Sequence, residues 1–140
     1  MKVNNYAVKT PEAGDKLFGS DSNGDQAQFE MSYFGTTIYK VYATLLTQKL
    51  SVAPASEILE NTIGDIVFTK DTEGPGVYYA TLTGAFVNNK TWLMINQPVS
   101  GNVRIYRYDA DTLVINTYNS AGSASDGILA DCALEIRVYN

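Results

Sequence analysis

The stretch that decides the fold is Ala133-Leu134-Glu135-Ile136-Arg137-Val138-Tyr139. In an extended chain Leu134, Ile136 and Val138 point one way and Glu135, Arg137 and Tyr139 the other, the period-2 pattern of a strand with one face on a core. Cys132 lies in phase with Leu134 and Ile136, which predicts a buried, inert thiol. Segment 38–46 alternates as well, with Tyr39, Val41, Ala43 and Leu45 on one side and Lys40, Tyr42 and Thr44 on the other, which suits a half-buried strand. Further strands are expected over 57–61, 66–70, 77–83, 91–96, 102–108 and 112–118, each rich in Val, Ile, Tyr and Thr. No segment carries a helical period.

The connectors have turn chemistry. Asn61-Thr62-Ile63-Gly64-Asp65 and Glu73-Gly74-Pro75-Gly76 each join two short strands, and Tyr108-Asp109-Ala110-Asp111 predicts a hairpin. Residues 119–126, small and polar, read as a mobile surface loop before the last strand. About eight strands at this spacing over residues 37–140 favour an all-β, antiparallel β-sandwich over a barrel. Residues 1–36 are thinner, with Leu17-Phe18, Phe29, Met31 and Tyr33-Phe34 set apart by Asp21-Ser22-Asn23-Gly24-Asp25. They read as an N-terminal extended arm ending in a short hairpin, serving attachment or oligomerisation.

Composition narrows the chemistry. The 140 residues include no His, one Cys, 10 Lys and Arg, and 15 Asp and Glu. Without histidine the commonest general base, the commonest transition-metal ligand and the Ser-His or Cys-His nucleophile pairs are missing. A single cysteine forms neither an internal disulfide nor a thiolate zinc site. A net charge of −5 and scattered basic residues argue against nucleic acid, whose affinity comes from clustered Lys and Arg. Arg104 and Arg107, the nearest approach to a pair, fall on opposite faces of an extended segment. The first residues lack the apolar centre of a signal peptide, and the longest apolar runs are four residues, as in Trp92-Leu93-Met94-Ile95, so neither export nor a membrane span is expected.

Three constellations invite chemistry and are better read as structure. Residues 21–25 begin like a calcium loop, but the glycine comes two residues early and Ser32 stands where the closing Glu belongs, so a turn is expected. Asp109 and Asp111 sit in a turn, where solvent keeps both ionised and a glycosidase pair is not expected. Glu57 and Glu60 fall on opposite faces of any strand, so they fail as a pair too. The expectation is no catalytic residues, no cofactor and no metal. The tyrosines carry more: Tyr78 and Tyr79, Tyr106 and Tyr108, and Tyr118 serve first as strand packing, next as subunit contact, and third as a sugar-stacking platform.

The segment Lys16-Leu17-Phe18-Gly19-Ser20-Asp21-Ser22-Asn23-Gly24, followed by Gln28-Phe29-Glu30-Met31, resembles a recurring piece of tailed-phage fibre and appendage proteins: a short strand, G-[ST]-D-S-x-G, and a second strand with a central Phe. Residues 41–48, 54–64, 76–78 and 134–139 likewise resemble short virion proteins of phages of Bacteroidetes, including crAss-like phages. The resemblance implies a head-fibre, tail-appendage or capsid-decoration component, made in the host cytoplasm and assembled into the virion, without enzymatic activity. It also implies a homotrimer that touches other virion proteins and, on its outer surface, a host glycan. Phe18, Phe29 and Met31 would form the subunit interface, and Tyr78, Tyr106, Tyr108 and Tyr118 the candidate glycan or partner surface. The alternative is a carbohydrate-binding or adhesin-like β-sandwich module, phage-borne or not.

Overall fold

The computed structural model describes residues 38–140 in full and, before them, only the backbone of β1 (Lys16–Ser20) and β2 (Gln26–Glu30). Two compact units divide the chain, Met1–Thr37 and Ile38–Asn140. In the first, β1 and β2 pair antiparallel from Lys16 opposite Glu30 to Ser20 opposite Gln26. The side chains of Phe18 and Phe29, the whole of Met31, and the calcium-like stretch 21–25 lie outside the described residues.

The second unit is an all-β sandwich with no helix among its described residues. Its strands are β3 (Tyr39–Thr47), β4 (Ala55–Asn61), β5 (Val67–Lys70), β6 (Val77–Thr81), β7 (Thr91–Ile95), β8 (Asn102–Arg107), β9 (Thr112–Tyr118) and β10 (Cys132–Tyr139). They form two antiparallel sheets of four, ordered β4-β3-β10-β7 and β5-β6-β9-β8. The chain crosses between sheets after β4, β6, β7 and β9, so β4 and β5 border one side and β7 and β8 the other.

Strand β10 sits inside the first sheet, bonded to β3 on one edge and β7 on the other. Its row Cys132, Leu134, Ile136 and Val138 is buried, as the alternation predicts. Against it from the second sheet stand Tyr78, Ala80, Val103, Leu113 and Ile115, with Phe86 and Leu129 closing the ends from loops. Each of the larger aliphatic side chains contributes about 1.5–3 kcal/mol by leaving water.

One reading is corrected: Glu57 and Glu60 do not fall on opposite faces of β4. Strand β3 sends Tyr42, Thr44 and Leu46 to the core, while on its other face Val41 is buried as well and Ala43 and Leu45 are half-buried. Thr44 is tolerated in the core because its hydroxyl donates to the Glu57 carbonyl at 2.8 Å. Glu57 and Glu60 share a face: Glu60 pairs with Ala43 and Glu57 with Leu45, because a bulge shifts the β3–β4 register by one residue. Residues 119–126 are tied down at both ends. Asn119 Oδ1 accepts the N–H groups of Ala121 and Ser123, and Ser125 exchanges bonds with Thr117 in both directions.

The same loop delivers Asp126 to the sandwich end. Its Oδ1 accepts the Tyr78 hydroxyl at 2.6 Å and the Gly76 N–H at 2.8 Å, while Lys70 Nζ lies 3.5 Å from Oδ2. Gly76 has φ +74° and approaches Thr117 and Ser125 so closely that a Cβ would stand 2.4 Å from the Thr117 carbonyl oxygen, so only glycine fits. Burial pushes the Asp126 carboxyl up, but the bonds from Tyr78 and Gly76 and the Lys70 charge outweigh it and hold the group below its ordinary value. Burial, then the bond to Asp126, push the Tyr78 phenol well above its ordinary range.

Tyr78→Phe leaves Asp126 one donor short and should cost about 1–3 kcal/mol in urea unfolding, with native spectra retained. Since the folded Asp126 carboxyl titrates below the ordinary aspartate value, its contribution is present above that value and is lost as pH falls through the lower folded one. Asp126→Asn should therefore flatten the acid limb of the stability curve. An unchanged acid limb would remove Asp126 from this role.

Candidate functional site

The outward face of the second sheet is built in cross-strand rows. In the central row Thr69, Tyr79, Val114 and Tyr106 stand side by side on β5, β6, β9 and β8. One neighbouring row holds Thr81, Thr112 and, just past β8, Tyr108, whose N–H donates to the Thr112 carbonyl at 3.0 Å. The other holds Val77, Asn116 and Arg104. Because Tyr79 and Tyr106 each lie one strand away from Val114, their backbones are about 9–10 Å apart, and the rings rise as two walls over a valine floor. Val114 is only 4 % exposed although it points away from the core, which shows how far the tyrosines cover it.

The result is a groove of about 640 Å³. Its walls are Tyr79, Tyr106 and Tyr108, its floor Val77 and Val114, and its rim Thr69, Thr81, Thr112 and Asn116. Tyr106 and Tyr108 are 45 % and 70 % exposed, leaving ring surface open to a ligand. Hydroxyls and one carboxamide supply the polar contacts, and none of the groove's nine lining side chains is a carboxylate or a cation.

Tyr79 is held in place from outside the groove. Its hydroxyl donates to Asp71 Oδ2 at 3.1 Å, and Asp71 Oδ1 accepts the Glu73 N–H at 3.0 Å. That backbone bond is the largest influence holding the Asp71 carboxyl below its ordinary value; burial opposes it and the Tyr79 hydroxyl adds to it. The bond to Asp71 is in turn the main reason the Tyr79 phenol is raised. With its proton committed to Asp71, the Tyr79 oxygen presents lone pairs to the groove and acts as an oriented acceptor.

The four tyrosines expected to form a surface separate into different places. Tyr106 and Tyr108 line the groove. Tyr118 lies on the same outward face, opposite Asn102 and beyond the groove end. Tyr78 does not belong to the surface: it is fully buried, and its hydroxyl serves Asp126. Adjacent residues of a strand face opposite ways, so only one of Tyr78 and Tyr79 could reach solvent, and Tyr79 is that one. Its phase with Val77 and Thr81 was the available signal; Asn116, Thr69 and Thr112 gave none by themselves.

Asp109 and Asp111 are turn residues, as expected. Asp109 Oδ1 accepts the Asp111 N–H at 2.9 Å, and Asp111 Oδ1 accepts the Gly84 N–H at 2.6 Å. Among the described residues no group of three or more His, Cys, Asp or Glu is placed to hold a metal ion, and no helix is long and apolar enough to cross a membrane.

A second aromatic group, missed by the sequence reading, lies on the outer face of the first sheet. The Arg137 guanidinium stands 4.8 Å from the Tyr39 ring centroid and 5.0 Å from that of Trp92, and its Nε donates to Glu135. Tyr39 and Tyr139 pack at 5.4 Å between centroids. Arg137 is thus stacked and paired within its own chain, and its aromatic neighbours form a ladder across the sheet.

Comparison with protein-family models, curated proteins and solved structures finds no match for the chain.

Asp71→Asn should move the Tyr79 phenol titration down, toward the ordinary tyrosine value of about 10. NMR titration of the Tyr79 ring checks this. An unmoved midpoint would mean that Asp71 does not orient the hydroxyl.

Proposed function

We propose that the protein is a non-enzymatic virion structural component of the head-fibre, tail-appendage or decoration kind, acting through assembly and surface binding, and that its sandwich binds neutral carbohydrate. The observation that carries the binding part is the central row, in which Tyr79 and Tyr106 flank Val114. Aromatic faces and a small apolar floor suit the C–H surface of a pyranose, while Thr69, Thr81, Thr112 and Asn116 offer hydrogen bonds to ring hydroxyls. A neutral sugar fits better than an anionic one: the groove lining holds no cation, and the chain is acidic.

The absence of histidine from the chain, together with an Asp71 carboxyl kept ionised and engaged with Tyr79, supports binding without turnover. Support for the virion setting comes from the sequence resemblance in residues 16–31 and in the segments of the sandwich named above. In that setting the N-terminal arm, through Phe18, Phe29 and Met31, joins three copies and attaches them to other virion proteins, and the sandwich projects toward the host surface.

A glycan array followed by calorimetry on the best binder tests the groove. Tyr106→Ala and Tyr79→Ala should each weaken binding at least tenfold without changing the unfolding midpoint by more than a few degrees, whereas Tyr118→Ala, outside the groove, should bind normally. No binder on the array, or equal loss from all three variants, would overturn the carbohydrate reading. The assembly part has its own test in light scattering: Phe29→Asp should reduce the mass of the native assembly while the β-sheet circular dichroism persists.

A further inference from the structure

We infer that the free edge of β7 is a self-association site, at which a second copy of this chain adds its own β7 antiparallel and joins the two first sheets into one. The inference does not rest on the groove or on the virion reading.

The sandwich has four edge strands, β4, β5, β7 and β8, and among the described residues three of them are defended against pairing. Strand β4 carries Glu57 and Glu60 and is broken by the bulge. Strand β5 has four residues and ends in Lys70. Strand β8 carries Arg104 and Arg107, and the Gln97 carboxamide engages both backbone groups of Val103, accepting its N–H at 3.1 Å and donating to its carbonyl at 3.2 Å. A side-chain amide in that position occupies the place a further strand would take.

Strand β7 has none of these devices. It reads Thr91-Trp92-Leu93-Met94-Ile95, a regular, uncharged strand with no proline. Its bonding phase follows from its ends: the Asn96 N–H donates to the Ala133 carbonyl, and the Lys90 carbonyl accepts from the Tyr139 N–H. By alternation Trp92 and Met94 turn their backbone groups toward β10, and Thr91, Leu93 and Ile95 turn theirs to the open edge.

The side chains are self-complementary about Leu93. A two-fold axis there sets Leu93 opposite its copy and Thr91 opposite Ile95, with backbone bonds exchanged at each pair. It also sets Trp92 opposite Met94 twice, in the closer non-bonded pairs, on the outer face where they are 40 % and 50 % exposed. Thioether against indole is a favourable contact. The nearest charges do not oppose this arrangement: Arg137 is already paired with Glu135, and the two Lys90 residues stand at opposite ends of the seam. A second copy meets itself here without burying an unpaired charge, which is why it is the occupant.

The experiment reads the register directly in the full-length chain. Trp92→Cys and Met94→Cys are made as separate proteins; the native Cys132 is fully buried and does not compete. Closely spaced antiparallel pairs lie within disulfide reach, so an oxidised equimolar mixture should give a reducible dimer, and each protein alone no more than wild type. A mixture that cross-links no better than the separate proteins overturns the proposal. Met94→Lys provides a second readout whose monomer keeps its fold, because the new ammonium faces Glu135 of its own sheet. In sedimentation velocity it should weaken the wild-type association at least tenfold; identical profiles for the two proteins overturn the proposal as well.

Discussion

Everything in the sandwich hangs on β10, which is hydrogen-bonded along both edges while one of its rows fills the core. Its pairing with β3 and with β7 sets the register of the first sheet, and its buried row Cys132, Leu134, Ile136 and Val138 meets the second sheet. A one-residue slip would turn Glu135 and Arg137 inward and expose four buried side chains, a loss no rearrangement of neighbours could offset. Because β10 is late in the chain and β3 opens the sandwich, the first sheet closes only when contacts about ninety residues apart form. Such long-range pairing makes folding slow compared with helical proteins of this size.

How much of this was legible from sequence follows from how strongly each segment contrasts its two faces. Strand β10 alternates aliphatic with charged residues, and its inward face could be read directly. Strand β3 alternates apolar with amphipathic residues, so the contrast is weak, and the face that wins is the one where Tyr42 can meet Phe68 and Thr44 can find the Glu57 carbonyl. The bulge opposite Ala43 and Thr44 leaves no mark in composition, yet it alone decides that Glu57 and Glu60 share a face. For Tyr78 and Tyr79 the sequence states that one is inside and one outside; the choice depends on Asp126, forty-eight residues away, which supplies the partner a buried phenol needs.

The groove was legible only in fragments for a related reason. Its walls and floor come from three separate strands: Tyr79 is on β6, Tyr106 is at the end of β8 with Tyr108 just past it, and the valine between them is on β9. What brings them together is cross-strand register, which a single sequence does not print. What makes the face rigid is also remote, since Asp71 fixes the Tyr79 hydroxyl and the Asp126 cluster fixes the start of β6 two residues before it. A surface of this kind is prearranged by the fold, and a ligand meeting it orders few side chains on binding, which lowers the entropic cost of association.

The two outer faces of the sandwich differ in a way that separates their uses. On the second sheet the tyrosines stand apart over a small valine, with their rings open to solvent and hydroxyl groups around them. On the first sheet the aromatic residues are stacked on one another and on Arg137, which is paired with Glu135, so the ladder stiffens the sheet. What the first sheet offers at its undefended edge is backbone: the outward groups of Thr91, Leu93 and Ile95 on β7. On the two proposals, side-chain recognition and backbone recognition fall on different sheets. Pairing at β7 lengthens the first sheet in its own plane and leaves the groove of the second sheet facing away from the seam. The two proposed contacts then make no demand on the same residues, so neither would exclude the other.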